Sequence, residues 1–203
     1  NHLVLLCENE TGYRNLIQLV SSGYLDGFYY KPRIDKDLLA RHSKGLIALS
    51  ACLRGDVNET LLQDRYEDAR KLAHEYTDIF GRENFFLEIQ DHGLDEDRRV
   101  LPMVNRLSTD TGIPLVATND SHYLRKTDAR AHEILLCIQT GKTMSSENRM
   151  RFSQQAFYLK SREEMMTLFG EVEDALDRTW TIADRCRINS MRHTAEEIVT
   201  TFA

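Results

Sequence analysis

Hydrophobic positions along the chain recur with two different spacings that alternate. Short apolar runs rich in β-branched or aromatic residues, such as Gly45–Ser50 and Phe85–Ile89, are typical of buried strands. Longer stretches with apolar residues every three or four positions, such as Asn9–Ser22 and Tyr66–Phe80, are typical of amphipathic helices. Because strands and helices alternate in short units, the pattern predicts an α/β fold with a parallel sheet or barrel.

The pattern continues through the middle of the chain. A helix is predicted over Asp95–Thr111, and Pro102 is expected to kink it or to mark its true start. A strand is predicted to begin at Leu115, and a helix is predicted over Thr127–Gln139.

The pattern changes after Gly141, where a polar segment begins. We predict a short strand over Phe157–Lys160 and then two helices, the first of them capped by Ser161. The residues from Asn189 onward are expected to form an appended helix or a loose tail.

Composition narrows the class of protein. A chain of 203 residues with 41% hydrophobic content can bury a real core. No apolar window is long enough to span a bilayer, and the four cysteines lie far apart, so we expect a reduced, cytoplasmic protein without membrane contact. The formal charge of −6 argues against binding nucleic acid through the overall field of the domain.

One short motif suggests a metal-binding site. The strand that begins at Leu115 leads into Asp120-Ser121-His122, and if it continued through the motif, both side chains would face one cation. The plain alternative is a polar turn whose aspartate caps the next helix. The motif alone does not decide between a metal site and a turn.

Longer stretches carry a family resemblance. Gly27–Asp35, Gly45–Cys52, Leu115–Tyr123 and His132–Lys142 together resemble the polymerase and histidinol phosphatase (PHP) domain of the bacterial DNA polymerase III alpha subunit. The resemblance runs from His2 to about Ile188. It implies a portion of a distorted PHP-type βα barrel, followed by C-terminal helices.

The resemblance also implies organisation and function. Residues 1–143 would form the C-terminal part of the barrel, residues 144–188 a short strand and helices leading toward the polymerase core, and residues 189–203 a tail. The domain would scaffold a replicative DNA polymerase and contribute a metal site for 3′-5′ exonuclease-type phosphodiester hydrolysis. Its partners would be DNA, reached through the parent polymerase, the rest of the alpha subunit and other replicase subunits.

Four residues match the metal ligands of the family: His2, Cys52, Asp120 and His122. Imidazole, thiolate and carboxylate together suit zinc best, with manganese or magnesium as alternatives. Taken singly, His2 is an ordinary histidine near a chain end, and Cys52 after an apolar strand is an ordinary buried small residue. No catalytic residue is identified from the sequence.

Other residues carry weaker signals. Lys31 and Arg33, beside two tyrosines, could contact nucleic acid, or the loop could simply be packed by its tyrosines. We expect His92 to make a structural hydrogen bond in a turn, and His132 to be a surface residue.

The chain also departs from the family pattern. The opening His-x-His, the Asp-His-Gly word and the glutamate ligand have no counterpart at their expected places, so we expect about half of the ligands here. The polymerase's catalytic aspartates are absent too, and the isolated chain should not polymerise nucleotides. Two alternatives remain: a stand-alone PHP phosphatase acting on a small phosphate monoester, and a non-catalytic docking module.

Overall fold

The computed structural model describes residues 1–188, which form four strands and eight α-helices. The predicted tail, 189–203, lies outside the described residues. The strands are β1 (Val4–Cys7), β2 (Leu46–Leu49), β3 (Phe85–Ile89) and β4 (Leu115–Ala117). The helices are α1 (Glu10–Leu25), α2 (Lys36–Arg41), α3 (Asp56–Leu62), α4 (Tyr66–Phe80), α5 (Asp95–Thr111), α6 (Ala129–Thr140), α7 (Arg162–Phe169) and α8 (Glu173–Arg185).

The strands form one sheet in the order β1-β2-β3-β4. β2, β3 and β4 are parallel, with α3 and α4 between the first two and α5 between the last two. This confirms the predicted α/β architecture, and the open sheet is consistent with a portion of a PHP-type barrel. β1 was not predicted, and it pairs antiparallel with β2.

Alternate residues of the strands pack into two apolar layers. Leu46, Ala48, Phe85 and Leu87 are fully buried in a core that includes side chains from α3, α4 and α5. The next residues along the strands, among them Ile47, face the other side and pack with Ile182 of α8. Because α8 covers this second face, the segment predicted to lead away from the barrel also packs against its sheet. The boundary proposed at residue 143 stays a prediction.

Several local predictions were correct and others were wrong. α4, β3 and α5 have the predicted bounds, and Ser161 caps α7. Pro102 lies inside a continuous α5, so the prediction that it marks the true helix start was wrong. The strand predicted over Phe157–Lys160 is reduced to one β-bridge between Tyr158 and Tyr123.

Two further features concern the cysteines and the helices. All four cysteines lie in the described part of the chain, and each is a free thiol. Within residues 1–188 no helix combines the length and the apolar character needed to cross a membrane.

Candidate metal centre

The predicted ligands gather at one end of the sheet. Cys52 follows β2, and Asp120 and His122 follow β4, so all three lie beyond the carboxyl ends of parallel strands. This is the edge where α/β proteins usually place their ligands and chemistry. His2 reaches the same edge because β1 runs in the opposite direction.

The strand register brings His2 beside Cys52. Val4 pairs with Leu49, so the residues before β1 lie next to the residues after β2. The backbone N–H of His2 donates to the carbonyl of Arg54 at 2.9 Å. The Nδ1 atom of His2 then lies 3.8 Å from the Sγ atom of Cys52. The two predicted ligands form a close pair.

A tight turn presents Cys52. Ala51 has a left-handed backbone with φ of 64°, and a Cβ at Gly55 would lie only 2.0 Å from the carbonyl oxygen of Ser50. The side-chain amide of Asn58 donates to the carbonyls of Ala51 and Cys52, at 3.3 Å and 3.2 Å. These contacts fix the backbone on both sides of the thiol.

The charge state of Cys52 responds to its surroundings. Burial raises the pKa of the Cys52 thiol, and the negative charge of Asp120 raises it further. A bound cation has the opposite effect, because it favours the thiolate. Cys52 and Asp120 are therefore within electrostatic reach of each other.

Asp120 and His122 form a second pair, though not in the way predicted. β4 ends at Ala117, so the two residues lie in a loop and do not share a strand face. The loop nevertheless brings the Nε2 atom of His122 to 3.4 Å from the Oδ1 atom of Asp120. Both side chains are more than one-third exposed, at 37% for Asp120 and 38% for His122.

A returning segment of the chain holds this loop. The backbone N–H of His122 donates to the carbonyl of Phe157 at 2.8 Å, and the Asn119 side chain donates to the carbonyl of Tyr158 at 2.7 Å. Lys160 donates to the side-chain oxygen of Asn119. The segment predicted as a strand therefore anchors the Asp-x-His loop.

The side chain of His92 supports the loop that carries Asp120 and His122. Its Nε2 atom accepts the backbone N–H of Asp120 at 3.2 Å, and its ring stacks on Phe157 with centroids 4.4 Å apart. The residue is 5% exposed. This agrees with the predicted structural hydrogen bond, and it places the bond directly behind a candidate ligand.

Asp97 in turn holds His92. Its Oδ2 atom accepts the backbone N–H groups of His92 at 2.8 Å and of Leu94 at 3.2 Å. Burial alone would raise the pKa of Asp97, but the hydrogen bonds from His92 and Leu94 hold it below its usual value. A charged carboxylate is therefore stable inside the protein beside the His92 ring.

His132 is not the free surface residue that we predicted. Its ring is half-buried and stacks on Phe152, with centroids 5.3 Å apart and an interplanar angle of 19°. It lies 5.6 Å from the ring of His122. The cause is tertiary, since the loop that carries Phe152 folds back over α6.

A cleft of about 670 Å³ opens beside these residues. Cys52, His92 and Asp120 line it together with the exposed Arg54 and Arg151. Its wall thus combines two candidate ligands with two cationic side chains. His2 and His122 stand next to these ligands but outside the lining.

The two residues predicted to contact nucleic acid, Lys31 and Arg33, lie away from this cleft. Lys31 and Arg33 are exposed in the loop after α1, and the Arg33 guanidinium lies 5.4 Å from the ring centroid of Tyr29. Neither residue lines the cleft. Their proposed DNA contact stays a prediction.

Glu88, which was not among the predicted site residues, lies inside the protein near both pairs. It is 4% exposed, and its carboxylate accepts hydrogen bonds from Gln90 at 3.0 Å and from the Thr118 hydroxyl. Burial raises the pKa of Glu88. The available signal was a charged residue inside the otherwise apolar strand Phe85–Ile89.

The four candidate ligands have the chemistry that a divalent metal requires. In the structure they stand as two separate pairs. Imidazole, thiolate and carboxylate groups are the usual zinc ligands. Within residues 1–188, however, no three histidine, cysteine, aspartate or glutamate side chains converge closely enough to hold an ion. The ligand assignment therefore remains a proposal.

Comparison with known proteins finds a family match for the first part of the chain. The model of the PHP domain matches residues 1–92, which contain His2, Cys52 and the β1-β2-β3 part of the sheet. PHP domains are generally metal-dependent, which agrees with the kind of donor found here.

Beyond the PHP domain match, most of the chain is similar to one kind of protein. The DNA polymerase III subunit alpha of Treponema pallidum is 49% identical over 187 residues, or 92% of this chain. That of Thermus aquaticus is 46% identical over 191 residues, or 93% of the chain. The chain spans only 16% of the length of each of these relatives.

Proposed function

We propose that this chain is part of the alpha subunit of a bacterial replicative DNA polymerase, and that its PHP domain supplies metal ligands for phosphodiester hydrolysis at a 3′ end. The observation that carries the proposal is the meeting of two donor pairs at one edge of the sheet. His2 and Cys52 form one pair, Asp120 and His122 form the other, and a single cleft joins them through Cys52 and Asp120. The similarity to DNA polymerase III alpha subunits supports it.

The side chains of the cleft have distinct roles in this proposal. His2, Cys52, Asp120 and His122 would hold a divalent metal, with zinc as the best match, and the metal would supply acidification of water and neutralisation of phosphate charge. Arg54 and Arg151 attract the phosphodiester, because guanidinium groups pair well with phosphate oxygens. Phe152, on the same wall, offers a ring on which a nucleobase stacks.

The proposal is tested in a full-length polymerase that carries this segment. Asp120→Asn and His122→Ala should abolish hydrolysis of a mismatched 3′ nucleotide and leave primer extension measurable, since polymerisation uses carboxylates elsewhere. His74→Ala is a matched control, because His74 is exposed on α4, away from the cleft. Full hydrolysis by both variants would refute the proposed site.

One observation favours the alternative of a non-catalytic docking module. The donors within residues 1–188 stand in two pairs, with no group of three. If the domain only scaffolds the polymerase, the same substitutions will lower polymerase stability and leave any hydrolysis unchanged. Measuring thermal unfolding beside the nuclease assay separates the two functions.

A further inference from the structure

Two buried oxygen atoms belong to residues that contact the two parts of the candidate metal centre, one next to Cys52 and one next to Thr118. They are the Oδ1 atom of Asn58 on α3 and the Oε2 atom of Glu88 on β3. Each residue is only 4% exposed, and within the described part of the chain neither oxygen has a hydrogen-bond partner. Buried polar atoms are nearly always hydrogen-bonded, so a pair of such oxygens indicates a bound group.

The two residues line the same small cavity. Asn58 and Glu88 line it with Leu53, Gln90 and Asp97. The volume is about 10 Å³, which is about the space that one water molecule needs. A larger ligand does not fit.

The chemistry of the two oxygens defines what binds. An amide oxygen and an ionised carboxylate oxygen are both acceptors, so while Glu88 is ionised the two atoms cannot bond to each other without a donor between them. The Asn58 amide group already donates to Ala51 and Cys52, which fixes the orientation of its oxygen. The Gln90 amide donates to Glu88 Oε1 and to Thr118. The missing partner must therefore offer two hydrogens.

We propose that this cavity binds one water molecule, which donates to Asn58 Oδ1 and to Glu88 Oε2. The water joins α3 to β3 inside the protein. It belongs to the fold and does not require a metal.

The position of the water gives it a structural role at the candidate site. Asn58 holds the turn of Cys52 through two carbonyls, and Glu88 holds Thr118, two residues before Asp120. The bridge connects the turn of one donor pair to the strand end that leads to the other. This consequence rests on the proposed function, whereas the water itself does not.

A crystal structure of the chain at high resolution tests the water directly. The proposal expects a density peak within hydrogen-bond distance, about 2.7 to 3.2 Å, of both oxygens. A direct contact between Asn58 Oδ1 and Glu88 Oε2 would overturn it, because that contact means a protonated carboxyl bonds the amide without water. Hydrogen bonds from Asn58 Oδ1 and Glu88 Oε2 to other protein groups, with no water between the two atoms, would overturn it as well.

A double-mutant cycle provides a second readout in solution. Asn58→Leu and Glu88→Gln each change one end of the bridge, and a shared water makes their effects on the folding equilibrium constant non-additive by about fivefold or more. Asn105→Leu and Glu147→Gln are matched controls at exposed positions, and this pair should be additive. Additive effects at Asn58 and Glu88 would contradict the bridge.

Zinc affinity separates this inference from the proposed function. Because the Asn58 amide holds the turn of Cys52 directly, Asn58→Leu should weaken zinc binding several-fold with or without the water, although Asn58 is not a ligand. If the chain binds no zinc, the proposed function fails while the density peak still decides the water. The two proposals therefore fail by different measurements.

Discussion

Asp120 is held in place by the backbone of its own loop. His92 accepts its N–H group, and the neighbouring residues Asn119 and His122 donate to the segment that contains Phe157. A ligand whose backbone is fixed loses little freedom when it binds a cation. At the residue scale, the site depends on such supporting contacts as much as on the ligands.

Glu88 gives a prediction about pH. Burial raises its pKa above the ordinary value of 4.5, so the folded protein binds its proton more tightly than the unfolded chain does. The stabilising effect of that proton is complete below pH 4.5 and is lost as the pH rises through the folded pKa. We expect the free energy of unfolding, relative to Glu88→Gln, to fall over this interval.

Chemical denaturation of both proteins at a series of pH values measures this difference. Glu147→Gln, which makes the same change at an exposed position, is the matched control. A constant difference for Glu88→Gln would mean that Glu88 titrates normally in the folded protein.

At the scale of elements, the sequence predicted what local pattern can specify. α4 ends before Gly81, which has a positive φ of 85°, and β3 is a mostly apolar run that Glu88 alone interrupts. β1 was missed because its four residues become a strand only through pairing with β2. α2 and α3 have six and seven residues, too few to show a helical period.

The same limit explains the site. The Asp-x-His motif was visible in the sequence, but the three-residue strand before it ended earlier than the apolar run suggested. The partners of Asn58, Glu88 and His92 come from separate elements, and a single sequence does not show which elements meet. The family resemblance indicated the candidate ligands, and only the structure showed the residues that hold them in place.

Pro102 gives a prediction about the stability of α5. It lies on an exposed part of the helix interior, where it removes one backbone hydrogen bond. Proline costs about 3 kcal/mol relative to alanine inside a helix, while it restricts the unfolded chain by up to about 1 kcal/mol. Pro102→Ala should therefore stabilise the protein by about 2 kcal/mol.

Equilibrium unfolding in urea measures the gain. Asn105→Ala, one turn further along the same exposed face, is the control and should add less than about 0.7 kcal/mol. A loss of stability in Pro102→Ala would show that the proline is needed for the shape of α5.

For the whole molecule, α8 decides whether residues 1–188 fold as one unit. Ile182 is 4% exposed among Ile47, Leu49, Phe86 and Val116 of the sheet. Replacing it with alanine should lower the free energy of unfolding by about 2 to 5 kcal/mol in a single transition. Trp180→Ala, at a side chain that is 71% exposed on the same helix, should have a much smaller effect. Equal effects would mean that α8 is not docked on the sheet.

The central claim is that the two donor pairs serve one metal site. A zinc titration of the purified chain, of Cys52→Ser, of His122→Ala and of the double variant tests it most directly, with Cys186→Ser and His74→Ala as controls. A shared site predicts that either single substitution lowers zinc affinity nearly as much as the double one, and that the controls bind as the parent chain does. Independent, additive losses at Cys52 and His122, or equal losses in the controls, would contradict a shared site.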